Sequence, residues 1–359
     1  MMVSEQRADL LRRVLEEKGL DALLVTKPAN VRYLTGFTGS AGSVLLAPEG
    51  AWLFTDFRYL EQAAAQVPWT QVVSISRDLS QKAGDLLGEL RAELVAFESD
   101  HVVYDVLQEW RDAWSGVEPV PRKGLVEDLR ICKDESELEL IQKAVGVADE
   151  AFNRVLPLIQ PGVSEERIAL ELIYQMMLLG GEGASFDPIV ASGPRGALPH
   201  GRASERVIQK GDLVTIDMGT RYRGYASDMT RTVAVGEIDS WQQEVYDLVL
   251  EAQLAGVRAV RAGRTGQEVD AVARGIIEEG GYGDRFGHGL GHGVGLDVHE
   301  RPSLSALAGD DPLRPGMVVT VEPGIYVPGR GGVRIEDMVV VTEDGARIMT
   351  GTPKELLVL

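Results

Sequence analysis

The feature that most restricts how this chain can fold is an internal repeat. Gly211 to Gly219 reads GDLVTIDMG and Gly316 to Gly324 reads GMVVTVEPG: a glycine, an apolar β-branched run, then an acid at the same offset. Each run has the character of a β-strand, so Asp217 and Glu322 occupy equivalent positions. Each segment passes through a glycine-containing turn into a second strand pattern with its own acid, ASDMTRTVAV with Asp228 and GVRIEDMVVV with Glu336 and Asp337. Two related hairpins predict an antiparallel sheet with pseudo-two-fold symmetry, helices packed on one face, and a site between the halves.

An acid that follows an apolar strand is costly to bury alone. For one such residue a salt bridge or a turn-capping role is a sufficient explanation. Four at matched positions converge, and four carboxylates within a few ångströms repel unless cations are present. Two divalent ions bring the cluster near neutrality, and ligation rich in oxygen suits Mn²⁺, with Co²⁺ or Zn²⁺ as substitutes. The chain has five histidines, and His288, His292 and His299 fall in the single segment GHGLGHGVGLDVHE. Glycines let backbones approach closely there, so these three read as ligand and acid/base groups. The G-x-G pattern of that run lacks the strand-turn-helix setting of a dinucleotide loop. His101, isolated in sequence, reads as a structural core histidine.

The 359 residues exceed one ordinary core and predict two domains, placed at 1–123 and 124–359. The first alternates helix and strand: a helix over Glu5 to Lys18, a strand at Ala22 to Thr26, and strands Ser43 to Ala47 and Ala51 to Thr55 around the turn Pro48-Glu49-Gly50. Pro119 and Pro121 mark the linker. Asp134 and Ser136 then cap an amphipathic helix running to Leu156, and a further helix spans Ser164 to Leu179 before Gly180 and Gly181. A net charge of -19 repels polyanions, so nucleic acid is not an expected partner. Cys132 is the only cysteine and reads as a buried structural thiol; with no signal-peptide pattern and no long apolar span, the expected location is cytoplasmic, without membrane attachment.

With these motifs assembled, the chain resembles the pita-bread-fold metallopeptidase family, which includes methionine aminopeptidases, prolidases, aminopeptidase P and creatinase. The resemblance implies an α/β two-domain protein: an amino-terminal creatinase-like α/β domain, where NVRYLTGFTGSAG and TDFRYLEQA resemble aminopeptidase P, and a carboxy-terminal α+β pita-bread domain. It implies five metal ligands: Asp217 in TIDMG, Asp228 in SDMTR, His292, Glu322 in VEPGIY and Glu336 in RIED. It also makes His200 in LPHGR and His299 in VHE the catalytic and substrate-contacting histidines. Glu322 doubles as proton acceptor, and His288 is placed on the proline side of the substrate. Thr230 and Arg334 lie two residues from ligands and are expected to support them.

The implied activity is hydrolysis of an N-terminal Xaa-Pro bond by a metal-bridged hydroxide at a dinuclear site. Peptides with proline in second position are the implied substrates, and a homodimer the implied assembly. Prolidase, which takes dipeptides, usually carries an arginine before the EPG motif. Here Ser303 to Pro315 contains only Arg314, beside the Pro315-Gly316 turn, which favours aminopeptidase P. Arg301, Arg32 and Arg58 remain alternative carboxylate binders. A non-catalytic binding module of this fold is a remoter alternative, since such proteins lose ligands and none is lost here.

Overall fold

In the amino-terminal part of the chain the strand runs assemble into one six-stranded mixed sheet. The computed structural model describes residues 2–359 and divides into two units, Met1–Arg130 and Ile131–Leu359. The strands of the first unit are β1 (Ala22–Val25), β2 (Ser43–Ala47), β3 (Gly50–Thr55), β4 (Gln71–Ser74), β5 (Leu94–Glu98) and β6 (Glu118–Arg122), in the order β4-β3-β2-β1-β5-β6. β2 runs antiparallel to both neighbours, while β3–β4, β1–β5 and β5–β6 are parallel. Helices α1 (Met2–Glu17), α2 (Pro28–Thr35), α3 (Leu60–Gln66), α4 (Leu79–Leu90) and α5 (Tyr104–Ala113) complete it.

The unit extends through the one-turn helix α6 (Glu127–Arg130) because a buried polar network draws that turn in. Asn30, fully buried, donates to Glu98 Oε1 at 2.6 Å and Glu127 Oε1 at 2.7 Å, and accepts from Arg130 at 2.7 Å. His101 is exposed on the turn after β5, which corrects the expectation of a core position. Its neighbours are turn residues rather than a packed apolar face.

The second unit repeats one plan twice: a helix pair, then a hairpin. α7 (Glu135–Val155) opens at a reciprocal cap between Asp134 and Glu137, and α8 (Glu165–Leu178) at a bond from Arg167 N to the Ser164 side chain. Gly180, with φ of 94°, lies just beyond the end of α8. These helices pack Phe152, Leu172 and Met176 against Ile216 and Val233. Those side chains belong to the antiparallel sheet β11-β8-β7, built from β7 (Ile189–Ser192), β8 (Leu213–Met218) and β11 (Met229–Ala234), with the short ladder β9 (Arg221–Tyr222) and β10 (Tyr225–Ala226) between β8 and β11.

The second half follows suit. α9 (Ser240–Ala259) and α10 (Gly266–Glu279), each opened by a reciprocal cap, share a core with the next sheet through Val249, Val269, Ile277, Val319, Val321 and Val339. That sheet holds β12 (Gly291–Gly293), β13 (Glu300–Leu304), β14 (Val318–Val321), β17 (Asp337–Val341) and β18 (Ala346–Ile348), ordered β13-β12-β14-β17-β18. Between β14 and β17 the chain forms a further hairpin, β15 (Gly324–Val327) and β16 (Gly331–Arg334). The core side chains of each layer contribute about 1.5–3 kcal/mol apiece. Cys132 is half-buried, paired in an isolated bridge with Met317, and not the buried thiol expected. Among the described residues no helix is long and apolar enough to cross a membrane.

Candidate metal centre and substrate cleft

The acids sit where the two hairpins enter and leave the sheets. Asp217 is the penultimate residue of β8, opposite Thr230 in the β8/β11 register. Asp228 and Glu336 immediately precede β11 and β17, and Glu322 immediately follows β14. His292 lies at the centre of β12, with its backbone N–H donating to Thr320 Oγ1 at 3.0 Å. This approach requires Gly291: a Cβ there would stand 2.1 Å from the Thr320 carbonyl oxygen. Thr320 Oγ1 in turn donates to Glu322 Oε1 at 3.0 Å.

The five side chains converge. His292 Nε2 is 3.2 Å from Glu322 Oε1 and 3.6 Å from Asp228 Oδ2. Asp228, His292 and Glu336 each bring one donor atom within 4.8 Å of the others. Thr230 Oγ1 donates to Glu336 Oε2 at 2.7 Å and accepts from Arg334 Nε at 3.0 Å. Arg334 also holds Asp217 Oδ2 at 2.7 Å, while Asp217 Oδ1 is buried with no protein partner.

Burial pushes Asp228 and Glu336 well above the usual carboxylate range, and the neighbouring acids push them further. Asp217 is also raised, by burial first and by Glu322, against the pull of Arg334. For Glu322 burial acts the same way, but the bond and charge of His292, with Arg334 and His288, outweigh it and draw the group down to about 2. Three acids thus resist ionisation in a site whose protein cations already serve Asp217 and Glu322. A donor set of four carboxylates and one imidazole, with an orphaned buried oxygen on Asp217, fits divalent cations.

Around this centre lies a cleft of about 500 Å³. All five acidic and imidazole groups line it, with His200, His288, His299 and Arg334; Thr230 lies fully buried behind Glu336. The rings of His299 and His292 are 4.1 Å apart. His288 Nδ1 faces the Gly289 carbonyl oxygen at 2.8 Å and Nε2 faces Tyr326 Oη at 2.9 Å. A carbonyl only accepts, so Nδ1 carries the proton and Nε2 accepts from the Tyr326 hydroxyl, which itself accepts from Arg334 at 2.9 Å. Burial lowers the His288 pKa, in keeping with the neutral ring that this arrangement requires.

Sequence reasoning missed Tyr326 and the cleft residues Phe186, Asp187, Arg202, Ser303 and Ser305. Tyr326 carried one signal, a polar tip within an apolar strand four residues after Glu322. The others look like ordinary loop residues.

A helix-and-hairpin repeat that buries four carboxylates and a histidine in one cleft defines a metal-dependent peptidase of the pita-bread type. Residues 139–343 match the model of Metallopeptidase family M24, and residues 7–132 that of the Creatinase/Prolidase N-terminal domain; the chain belongs to metallopeptidase family M24. A solved Xaa-Pro dipeptidase from Bacillus anthracis is 46% identical, with 99% of this chain and 100% of that one covered and a TM-score of 0.96. The Xaa-Pro dipeptidase of Pyrococcus furiosus is 38% identical over 98% of this chain and all of its own length. A solved X-Pro aminopeptidase from Thermotoga maritima is 38% identical, covers 98% of this chain and 99% of its own, and has a TM-score of 0.92.

Proposed function

We propose that this chain is an Xaa-Pro aminopeptidase that removes the residue preceding proline from peptides continuing beyond it. In this reading Asp217, Asp228, His292, Glu322 and Glu336 hold two divalent ions, Mn²⁺ in the first place. Likeness to Xaa-Pro peptidases supports the substrate class. The choice of aminopeptidase over dipeptidase is carried by the charge state of the cleft. Of the described residues that line it, both arginines are already paired, Arg334 with Asp217 at 2.7 Å and Arg202 with Asp187 at 3.2 Å. Ser303 and Ser305, also in the lining, are neutral donors and offer a carboxylate no charge. A dipeptidase is the second reading, favoured by the names of the similar proteins.

When bound, the cations would supply Lewis acidity and lower the pKa of a water. Glu322 would take a proton from the attacking water and hand it to the proline nitrogen as the C–N bond breaks, so that this nitrogen leaves as a neutral amine. His200 and His299 hold the carbonyl oxygen as its charge grows. His288, fixed by Tyr326 and Gly289, packs its ring against the pyrrolidine. A homodimer, as the family resemblance implies, and a cytoplasmic setting, in keeping with a chain that forms no intrachain disulfide, complete the reading. The test compares kcat/KM for Ala-Pro with Ala-Pro-Xaa tripeptides in Mn²⁺. Preference for the longer peptide is expected, and a tenfold preference for the dipeptide overturns the choice.

A further inference from the structure

Glu165, the first residue of α8, is fully buried and stands outside the metal centre, yet its carboxylate accepts five hydrogen bonds. Oε1 accepts from the backbone N–H and hydroxyl of Ser192 at 2.8 and 2.7 Å. Oε2 accepts from the backbone N–H and hydroxyl of Ser204 at 3.1 and 2.7 Å, and from Arg195 Nε at 2.9 Å. Ser192 ends β7 and Ser204 lies at the far stem of the loop 193–203, so one carboxylate ties both stems together. The tip of that loop carries His200 and Arg202 into the cleft.

Two further contacts carry the restraint outward. Arg195 spans from Glu165 to the carbonyl of Arg202, and Arg334 donates to the Pro199 carbonyl at 3.2 Å, on the residue before His200. Beyond the far stem, Arg206 grips Asp212 at 2.6 Å and reaches the Ser192 hydroxyl. Taking a carboxylate out of water is expensive unless its lone pairs are fully served. Here every donor that serves it comes from the loop and its two stems.

We infer that Glu165 is a positioning residue that sets the place of His200 in the cleft; this rests on the reading of His200 as a substrate-contacting group. A glutamine at 165 keeps the shape but turns an NH₂ toward either the Ser192 donors or the Ser204 and Arg195 donors, which releases one stem whichever way it faces.

The test uses the full-length protein. Glu165→Gln, His200→Ala and the double variant are assayed for kcat and KM on an Xaa-Pro peptide with Mn²⁺. Manganese affinity is measured by calorimetry, and the five histidine rings are followed by NMR in the zinc-loaded protein. Glu165→Gln is expected to lower kcat/KM on the order of 10²-fold, the scale of an ångström of misplacement. Metal affinity stays unchanged, the His200 signal moves while that of His101 does not, and the double variant is no slower than His200→Ala. If Glu165→Gln does not fold, Ser204→Ala, which removes one donor, is expected to give the same pattern with a smaller loss. Full activity in the position-165 variant, a still His200 signal, or additive losses in the double variant each overturn the inference. Unchanged activity of His200→Ala alone sinks the reading of the site, and the inference with it. A slow His200→Ala beside a normal Glu165→Gln sinks the inference only.

Discussion

Removal of the metal, combined with Asp228→Asn, is expected to reverse the order of stability between the parent and the variant. Asp228 and Glu336 present oxygens within 4.8 Å of each other. At an effective permittivity of about 20, two full charges at that distance repel by about 3 kcal/mol. Without metal the site relieves this by taking up protons, the direction in which burial and the surrounding acids shift both groups. An asparagine at 228 removes the conflict and leaves His292 its nearer partner, Glu322 at 3.2 Å. The metal-free variant should therefore be more stable than the metal-free parent, by up to about 3 kcal/mol. With metal present the order inverts: an ion at a hundred times its Kd stabilises the parent by about 2.7 kcal/mol, and the variant has lost a charged ligand. For a unit of this size about 2–4 °C of melting temperature corresponds to each kcal/mol, so Mn²⁺ should raise the parent's transition by roughly 5–10 °C. The assay is scanning calorimetry of both proteins, dialysed against chelator and then reloaded. A parent transition that ignores chelation, or a metal-free Asp228→Asn less stable than its parent, would refute the reasoning.

Other perturbations act through single contacts. Thr230→Val removes the hydroxyl that joins Glu336 to Arg334, and should weaken metal affinity about 10–100-fold and cost about 1–3 kcal/mol of stability by leaving both buried groups without that partner; titration calorimetry reads the affinity and scanning calorimetry the stability. Gly291→Ala forces a methyl to within 2.1 Å of the Thr320 carbonyl oxygen, so β12 must shift, and both stability and metal binding should fall. Thermal melts with and without Mn²⁺ would show it. Glu127 feels burial pushing its carboxyl up, but the Asn30 bond and Lys27 outweigh it and hold the group below its ordinary 4.5. A depressed folded-state pKa contributes stability above the unfolded value and loses it as pH falls through the folded one. Glu127→Gln should therefore cost about 1 kcal/mol near neutrality and nothing in strong acid, as urea melts across pH would read.

What the sequence disclosed, and what it hid, follows from how local each signal is. The hairpin acids were legible because a charge at the end of an apolar β-branched strand is anomalous by itself, and the constant offset from Gly211 to Asp217 and from Gly316 to Glu322 repeats the anomaly. The return strands were harder. Asp228 and Glu336 do not keep that offset, because the connecting hairpin of the second half, β15–β16, is longer than β9–β10 of the first, and it also carries Tyr326 and Arg334 beside the site. Tyr326 matters only because β15 lies near His288, a contact spanning 38 residues that no local pattern announces. Glu165 and Glu166 are indistinguishable as acids at a helix start, yet one is fully buried under a closed loop and the other is exposed.

The same distinction separates what the chain's chemistry needs from what its selectivity needs. Hydrolysis depends on charges buried against their own desolvation cost, and such residues stand out in a sequence because ordinary strands avoid them. In the proposed reading, choice of peptide length depends on whether a cation in the cleft is free, and that is a property of pairing rather than of composition. Arg202 counts toward carboxylate binding only while Asp187, 79% exposed and 3.2 Å away, is not holding it. Asp187→Asn should free that arginine and raise kcat/KM for Ala-Pro relative to Ala-Pro-Xaa, with kcat for the tripeptide unchanged. If the ratio does not move, Arg202 plays no part in reading the substrate's carboxyl end, and the charge argument for an aminopeptidase loses its basis.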